Sequence, residues 1–184
     1  SRERVDLNAV IAHSVETAQP MFDAHEQRLV VTPFPEPAWL SGDFARLSQI
    51  VTNLLHNACK YSPRKTTVRL QAAIDGHRAV IEVIDEGIGI DAELLPHVFD
   101  LFTQGRRGLD RAQGGLGIGL TLSQRMAQMH GGTLEASSAG VGRGSTFTLR
   151  LPYVGLVQPL PAAPVPIVEP ATPNRRSRVL IVDD

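Results

Sequence analysis

Residues Gly114 to Thr121 read GGLGIGLT, and four of the eight are glycine. How such a run could hold a phosphate decides the fold. A P-loop needs lysine after its last glycine, and here Leu120 follows Gly119. A dinucleotide fingerprint fits no better, because the glycines fall as G-x-G-x-G and no strand precedes them. What remains is a glycine-rich helix opening. Helix N-termini carry unpaired N–H groups and partial positive charge, and glycine lets phosphate oxygens reach them. The supporting cation must then come from elsewhere in the chain.

Working outward, Ile118, Leu122, Met126 and Met129 predict one apolar face on that helix, with Gly131-Gly132 as its C-terminal cap. TLEASS and STFTLRL then read as strands joined through AGVGRG. On the other side, TQGRRGLDRAQ (103–113) carries Arg106, Arg107 and Arg111 without periodicity and reads as a mobile loop. A short helical piece is expected over Ala92 to Phe99. TVRLQAAI and RAVIEVI flank Asp75-Gly76, the signature of a tight hairpin. Before them, Leu47, Ile50, Val51, Leu54, Leu55 and Ala58 form an amphipathic stripe, with Asp43 as N-cap and Pro63 as stop. AWLSGD and QRLVVT read as strands. A first helix is predicted from about Asp6 to Gln19 and ended by Pro20.

Two constellations carry chemistry. Asn53, Asn57 and Lys60 fall at i, i+4 and i+7, on the flank of the apolar stripe. Polar groups there line a cleft. Amide oxygens suit Mg²⁺ alongside phosphate, and lysine suits phosphate as a point charge. On the helix alone, the same residues can equally face water. DEGIGI, Asp85 to Ile90, follows a hydrophobic strand. An ionised Asp only accepts hydrogen bonds, so it selects donors such as the adenine amino group. Taken by itself, the segment reads more readily as a glycine-rich turn than as a ligand site.

The order of these pieces is more specific than any one. NLLHNACKYS, DEGIGI, FDLFTQ, GGLGIGL and GRGSTF resemble, in turn, the N box, first glycine box, F box and second and third glycine boxes of sensor histidine kinases. The resemblance is to their catalytic ATP-binding domain and covers residues 5 to 152, within the gyrase–chaperone–kinase ATPases. It implies a Bergerat-type α/β two-layer sandwich, a mixed, mainly antiparallel sheet covered on one face by helices. It implies ATP and Mg²⁺, with Asn57 on the metal and Asn53 beside it. Lys60 and Tyr61 would line the nucleotide, and Asp85 would take the adenine amino group. Gly87, Gly89, Ile90, Phe102, Leu116, Leu120 and Thr146 complete the implied ATP site. Residues 103–116 would be the ATP lid, with Gly115, Gly117 and Gly119 as hinge and phosphate contacts.

In this family the phosphoryl group goes to a histidine on a separate helical domain. The nearest match to its motif, His25-Glu26-Gln27-Arg28, lacks the apolar residue at Gln27 and the Asn/Thr-Pro that should follow. We read it as surface. The acceptor is expected upstream, so the fragment should bind ATP yet phosphorylate itself poorly or not at all. The domain is expected over 1–154. A proline-rich linker follows over 155–177, and RVLIVDD (178–184) resembles the first strand of a receiver domain, with Asp183 and Asp184 as its acids. That truncated strand is expected to be disordered or mispacked. Two other readings stand: a gyrase- or mismatch-repair-type ATP hydrolase, which would carry glutamate in place of Asn53, and a degenerate binding module.

Composition limits the field. The formal net charge is −1, which excludes a strong global field toward nucleic acid or an anionic membrane. Cys59 is the single cysteine, which excludes an intrachain disulfide and suits a reducing, cytoplasmic setting. There is no apolar run of about eighteen residues, so no helical span is expected, although the parent protein could be anchored. The chain opens with a polar stretch and no Met, as a fragment would.

Overall fold

A computed structural model describes residues 2–100 and 119–153. Strand β1 (Glu3–Asp6) leads into helix α1 (Leu7–Ala24), whose N-cap Asp6 accepts the Asn8 N–H. Sequence periodicity does not reveal β1, which is four residues long and pairs with β3 (Trp39–Gly42) in a small antiparallel sheet. Pro20 does not end α1, contrary to expectation: the helix runs one more turn. Pro20 is exposed, so the Glu16 carbonyl it leaves without a partner can be hydrated. The extra turn buries Phe22 completely.

Helix α2 (Phe44–Tyr61) is the centre of the molecule. The Asp43 side chain caps it by accepting the Arg46 N–H at 3.1 Å. The predicted stripe is buried, from Leu47 through Ala58 with Cys59 added. Helices α1 and α3 (described over Gly119–Met129) pack on either side of α2.

The main sheet runs β2 (Arg28–Thr32), β4 (Thr67–Asp75), β5 (Arg78–Asp85), β7 (Ser145–Pro152), β6 (Thr133–Ser137) in spatial order. Among the described strands of this sheet, only the β2–β4 pair is parallel. Alternation sends Val68, Leu70, Ala79, Ile81, Val83, Phe147, Leu149 and Leu151 to the helix-covered face. The expected two-layer α/β sandwich is therefore observed. In the β4–β5 hairpin Asp75 still pairs with Arg78, and Gly76 takes the positive φ of 57°.

Two further expectations are corrected. Between Ala92 and Phe99 only a single 3₁₀ turn forms, Leu95–His97, led by an Asp91 side chain that accepts the Glu93 N–H. On α3 the buried residues are Thr121, Ser123, Met126 and Ala127, while Leu122 and Met129 are exposed. Small and hydroxyl side chains face α2 because the helices approach closely there. The C-terminal cap is as predicted: Gly131 has φ 74°, the Gly132 N–H reaches the Ala127 carbonyl, and the Gly131 N–H reaches that of Gln128.

Candidate functional site

Asp85 ends β5 opposite Ser145, the first residue of β7. Its carboxyl group is buried at 6% exposure. Oδ1 accepts the N–H of Gly87 at 2.8 Å and of Ser145 at 3.2 Å, and Oδ2 accepts the Ser145 hydroxyl at 2.5 Å. A carboxylate has about four acceptor positions, so one on Oδ2 remains for an incoming donor.

The neighbouring glycines are dictated by the chain itself. A Cβ at Gly87 would lie 2.5 Å from the Tyr61 carbonyl oxygen and 2.6 Å from Asp85 Oδ1. One at Gly89 would strike the Gly140 carbonyl, and one at Gly144 the Asp85 carbonyl. Hydrogen bonds sew the same segments together: Ile88 N–H to Tyr61 O at 3.0 Å, Gly142 N–H to Ile88 O at 2.7 Å, and Gly144 N–H to Gly87 O at 3.2 Å. Ile90 packs on the core and donates its N–H to Ser138 Oγ at 3.0 Å.

Tyr61, half exposed, ends α2 with the Lys60 ammonium 5.3 Å from its ring centre. Two turns earlier Asn53 donates Nδ2–H to Ser123 Oγ at 2.9 Å, and a Cβ at Gly119 would lie 2.8 Å from its Oδ1. Half-buried Asn57 lies between, its side chain without a hydrogen-bond partner among the described residues. Leu120 packs against the core, and Thr121 Oγ1 donates to the Phe99 carbonyl at 2.6 Å. One edge of α2 thus joins the Asp85 loop at its C-terminus to the start of α3, over about 12 Å. A groove of about 460 Å³ along α2 is lined by His13, Phe44, Asn53, His56, Gly119 and Leu122.

Thr146 is a correction. It alternates to the face of β7 opposite Asp85, pairing with Ile84, so the structure does not bring it to the site. Ser145 takes its place, and inward-facing Phe147 two residues on could have revealed it. The HEQR stretch is corrected as well. His25 caps α1, but Gln27 is buried rather than at the surface. Phe102, Gly115, Leu116 and Gly117, the lid, its arginines, the linker and RVLIVDD lie outside the described residues.

The family of histidine kinase-, DNA gyrase B- and HSP90-like ATPases matches residues 42–155. The chain belongs to this family. Among curated relatives, the circadian input-output histidine kinase CikA of Thermosynechococcus vestitus is 33% identical over 98% of this chain and 24% of its own length. The probable sensor histidine kinase TcrY of Mycobacterium tuberculosis is 36% identical over 89% of this chain and 33% of its own length. The chain thus spans a third or less of these relatives. The solved mycobacterial sensor histidine kinase MprB superposes with TM-score 0.72 at 28% identity, covering 83% of this chain and 98% of that one. Full-length ShkA, solved with AMPPNP, gives 0.70 at 26% identity, over 83% of this chain and 31% of that one. The resemblance to the catalytic ATP-binding domain of sensor histidine kinases is borne out.

Proposed function

We propose that this domain binds Mg·ATP along α2 and presents the γ-phosphoryl group to a histidine on a separate helical domain of its parent protein. The purine would meet Asp85, with the base edged by Tyr61 and Ile90. The phosphates would lie toward Asn53, Lys60 and the start of α3. The observation that carries this reading is the buried Asp85 carboxylate, fixed by three donated hydrogen bonds and keeping one open acceptor position. Adenine supplies a donor there, and guanine supplies a carbonyl.

The residues present fit a magnesium ion. Among the described residues no three His, Cys, Asp or Glu side chains converge on a metal position. An ion held mainly by phosphate and water needs only an amide oxygen such as that of Asn57. When bound, Mg²⁺ would neutralise phosphate charge. The chain's own part is to position and orient, the main contribution in phosphoryl transfer.

A gyrase-type hydrolase is disfavoured, because the amide at Asn53 cannot serve as a base toward water. We further propose a phosphorelay with a receiver domain after the 155–177 linker, on the residue pattern RVLIVDD at 178–184. The CikA alignment, at 98% of the chain, runs beyond Tyr153 into that segment. None of the described helices is long and apolar enough to cross a membrane. We place the domain in the cytoplasm, where its nucleotide is.

The test is calorimetric titration of ADP and ATP with Mg²⁺ into the chain and into Asp85→Asn. Losing a charged hydrogen bond should weaken binding about tenfold or more with the fold intact. Unchanged affinity in a folded variant would remove the purine from Asp85.

A further inference from the structure

The adenine end of the site depends on where α2 stops. The last carbonyls of a helix have no partner within it. The Tyr61 carbonyl is taken by the Ile88 N–H, at the heart of the Asp85 loop. The carbonyls around it are reached by one distant side chain, and that of Pro63 also accepts the Thr66 hydroxyl at 2.6 Å. Gln27, 6% exposed, directs Nε2 at the carbonyls of Cys59 at 3.0 Å, Ser62 at 3.0 Å and Pro63 at 3.1 Å. An amide nitrogen has two hydrogens, so they are shared over three acceptors. The reverse orientation of the amide would set oxygen against three carbonyls.

Gln27 Oε1, by contrast, is buried without a hydrogen-bond partner among the described residues. An orphaned acceptor is costly, and an apolar side chain would avoid that cost. What an apolar side chain cannot do is donate to the end of α2. The backbone reinforces the placement: Glu26 holds a positive φ of 53°, and the Gln27 N–H is bonded to the Phe22 carbonyl at 2.9 Å. The turn after α1 is built to aim this amide inward.

We propose that Gln27 is a positioning residue for the nucleotide: its amide fixes the last turn of α2, and through Tyr61 and Ile88 the Asp85 loop. It touches no substrate. Its effect passes from the Cys59, Ser62 and Pro63 carbonyls to the Tyr61 carbonyl, then to the Ile88 N–H and the glycine packed on it. The inference rests on the nucleotide reading for its consequence, but the strut itself exists without nucleotide.

The experiment uses this chain with ADP as probe and hydrogen exchange as a second readout. Gln27→Glu keeps the shape and, ionised, cannot donate. It should lower ADP affinity about tenfold, measured well below its melting temperature, and speed exchange at the Ile88 amide about tenfold, relative to a β5–β7 ladder amide such as Val83. Gln27→His, which retains an N–H donor, should stay within about threefold of wild type in both. If Gln27→Glu does not fold, Gln27→Met removes the donors without adding charge and carries the same expectation. Wild-type affinity and wild-type Ile88 protection in a folded Glu or Met variant overturn the proposal. Faster Ile88 exchange in the variants, where wild type itself binds no ADP, supports the strut and instead sinks the nucleotide reading.

Discussion

At the scale of single residues, the site turns on how one carboxylate is held. Ser145 supplies Asp85 with two donors, its N–H and its hydroxyl, one to each oxygen. Hydrogen bonds to charged groups contribute about 1.5–3 kcal/mol, so the hydroxyl has leverage over the direction of Oδ2. Ser145→Ala should therefore weaken ADP binding about three- to tenfold, while Thr146→Ala stays within about twofold. Calorimetry on the pair decides it, and the reverse ranking would put Thr146 rather than Ser145 beside Asp85. The two residues also show what the sequence exposes. GRGSTF marks the segment, but only strand alternation separates a residue facing Asp85 from one facing away. Asp85, Asn53 and Tyr61 are legible because their spacing follows helix and strand periods. Gln27 is not legible, because its partners lie thirty-two or more positions away and no local pattern reports them.

At the scale of elements, caps and contact faces behaved differently. Caps are local chemistry, and Asp43, Pro63 and Gly131-Gly132 mark ends where expected. Faces are set by neighbours, which is why exposed Leu122 and Met129 misled the reading of α3 while Ser123 and Thr121 are buried. Asp43 shows how elements are joined. Its side chain caps α2, and its backbone N–H donates to His130 Nε2 at 3.0 Å, so Nδ1 carries the proton shared with the Met126 carbonyl at 2.7 Å. The start of α2 is thereby pinned to the end of α3. The Arg46 backbone N–H is the main cause holding the Asp43 carboxyl below its usual value, and desolvation opposes it. A carboxyl depressed by folding contributes stability above its unfolded pKa, and that contribution is lost as pH falls through the folded value. Asn caps about as well as Asp but does not titrate. Asp43→Asn should match wild type at neutral pH in urea melts and lose less stability as pH drops below about 4. Parallel acid limbs for the two proteins would show that the cap carries no titrating share.

At the scale of the whole molecule, α2 serves core and site at once. One side carries Ile50, Leu54 and Leu55, each fully buried; its edge carries Asn53, Asn57, Lys60 and Tyr61. A ligand on that edge binds only the folded chain, so its free energy adds to that of the whole domain rather than of one loop. Mg·ADP at 100 times its dissociation constant should raise the unfolding free energy by about 2.7 kcal/mol. Leu54→Ala should lower it by about 2–5 kcal/mol through lost burial and a cavity. Leu54 points into the core and the proposed nucleotide site lies along the edge, so the two effects should add: the variant, if folded, gains the same increment from Mg·ADP as wild type, within about 0.5 kcal/mol. Asp85→Asn, binding tenfold or more weakly, should gain about 1.4 kcal/mol or less at the same Mg·ADP concentration. Urea melts of the three proteins with and without Mg·ADP make the comparison. A smaller increment in Leu54→Ala would mean that core packing sets the position of the α2 edge, so that affinity depends on a residue the nucleotide never meets.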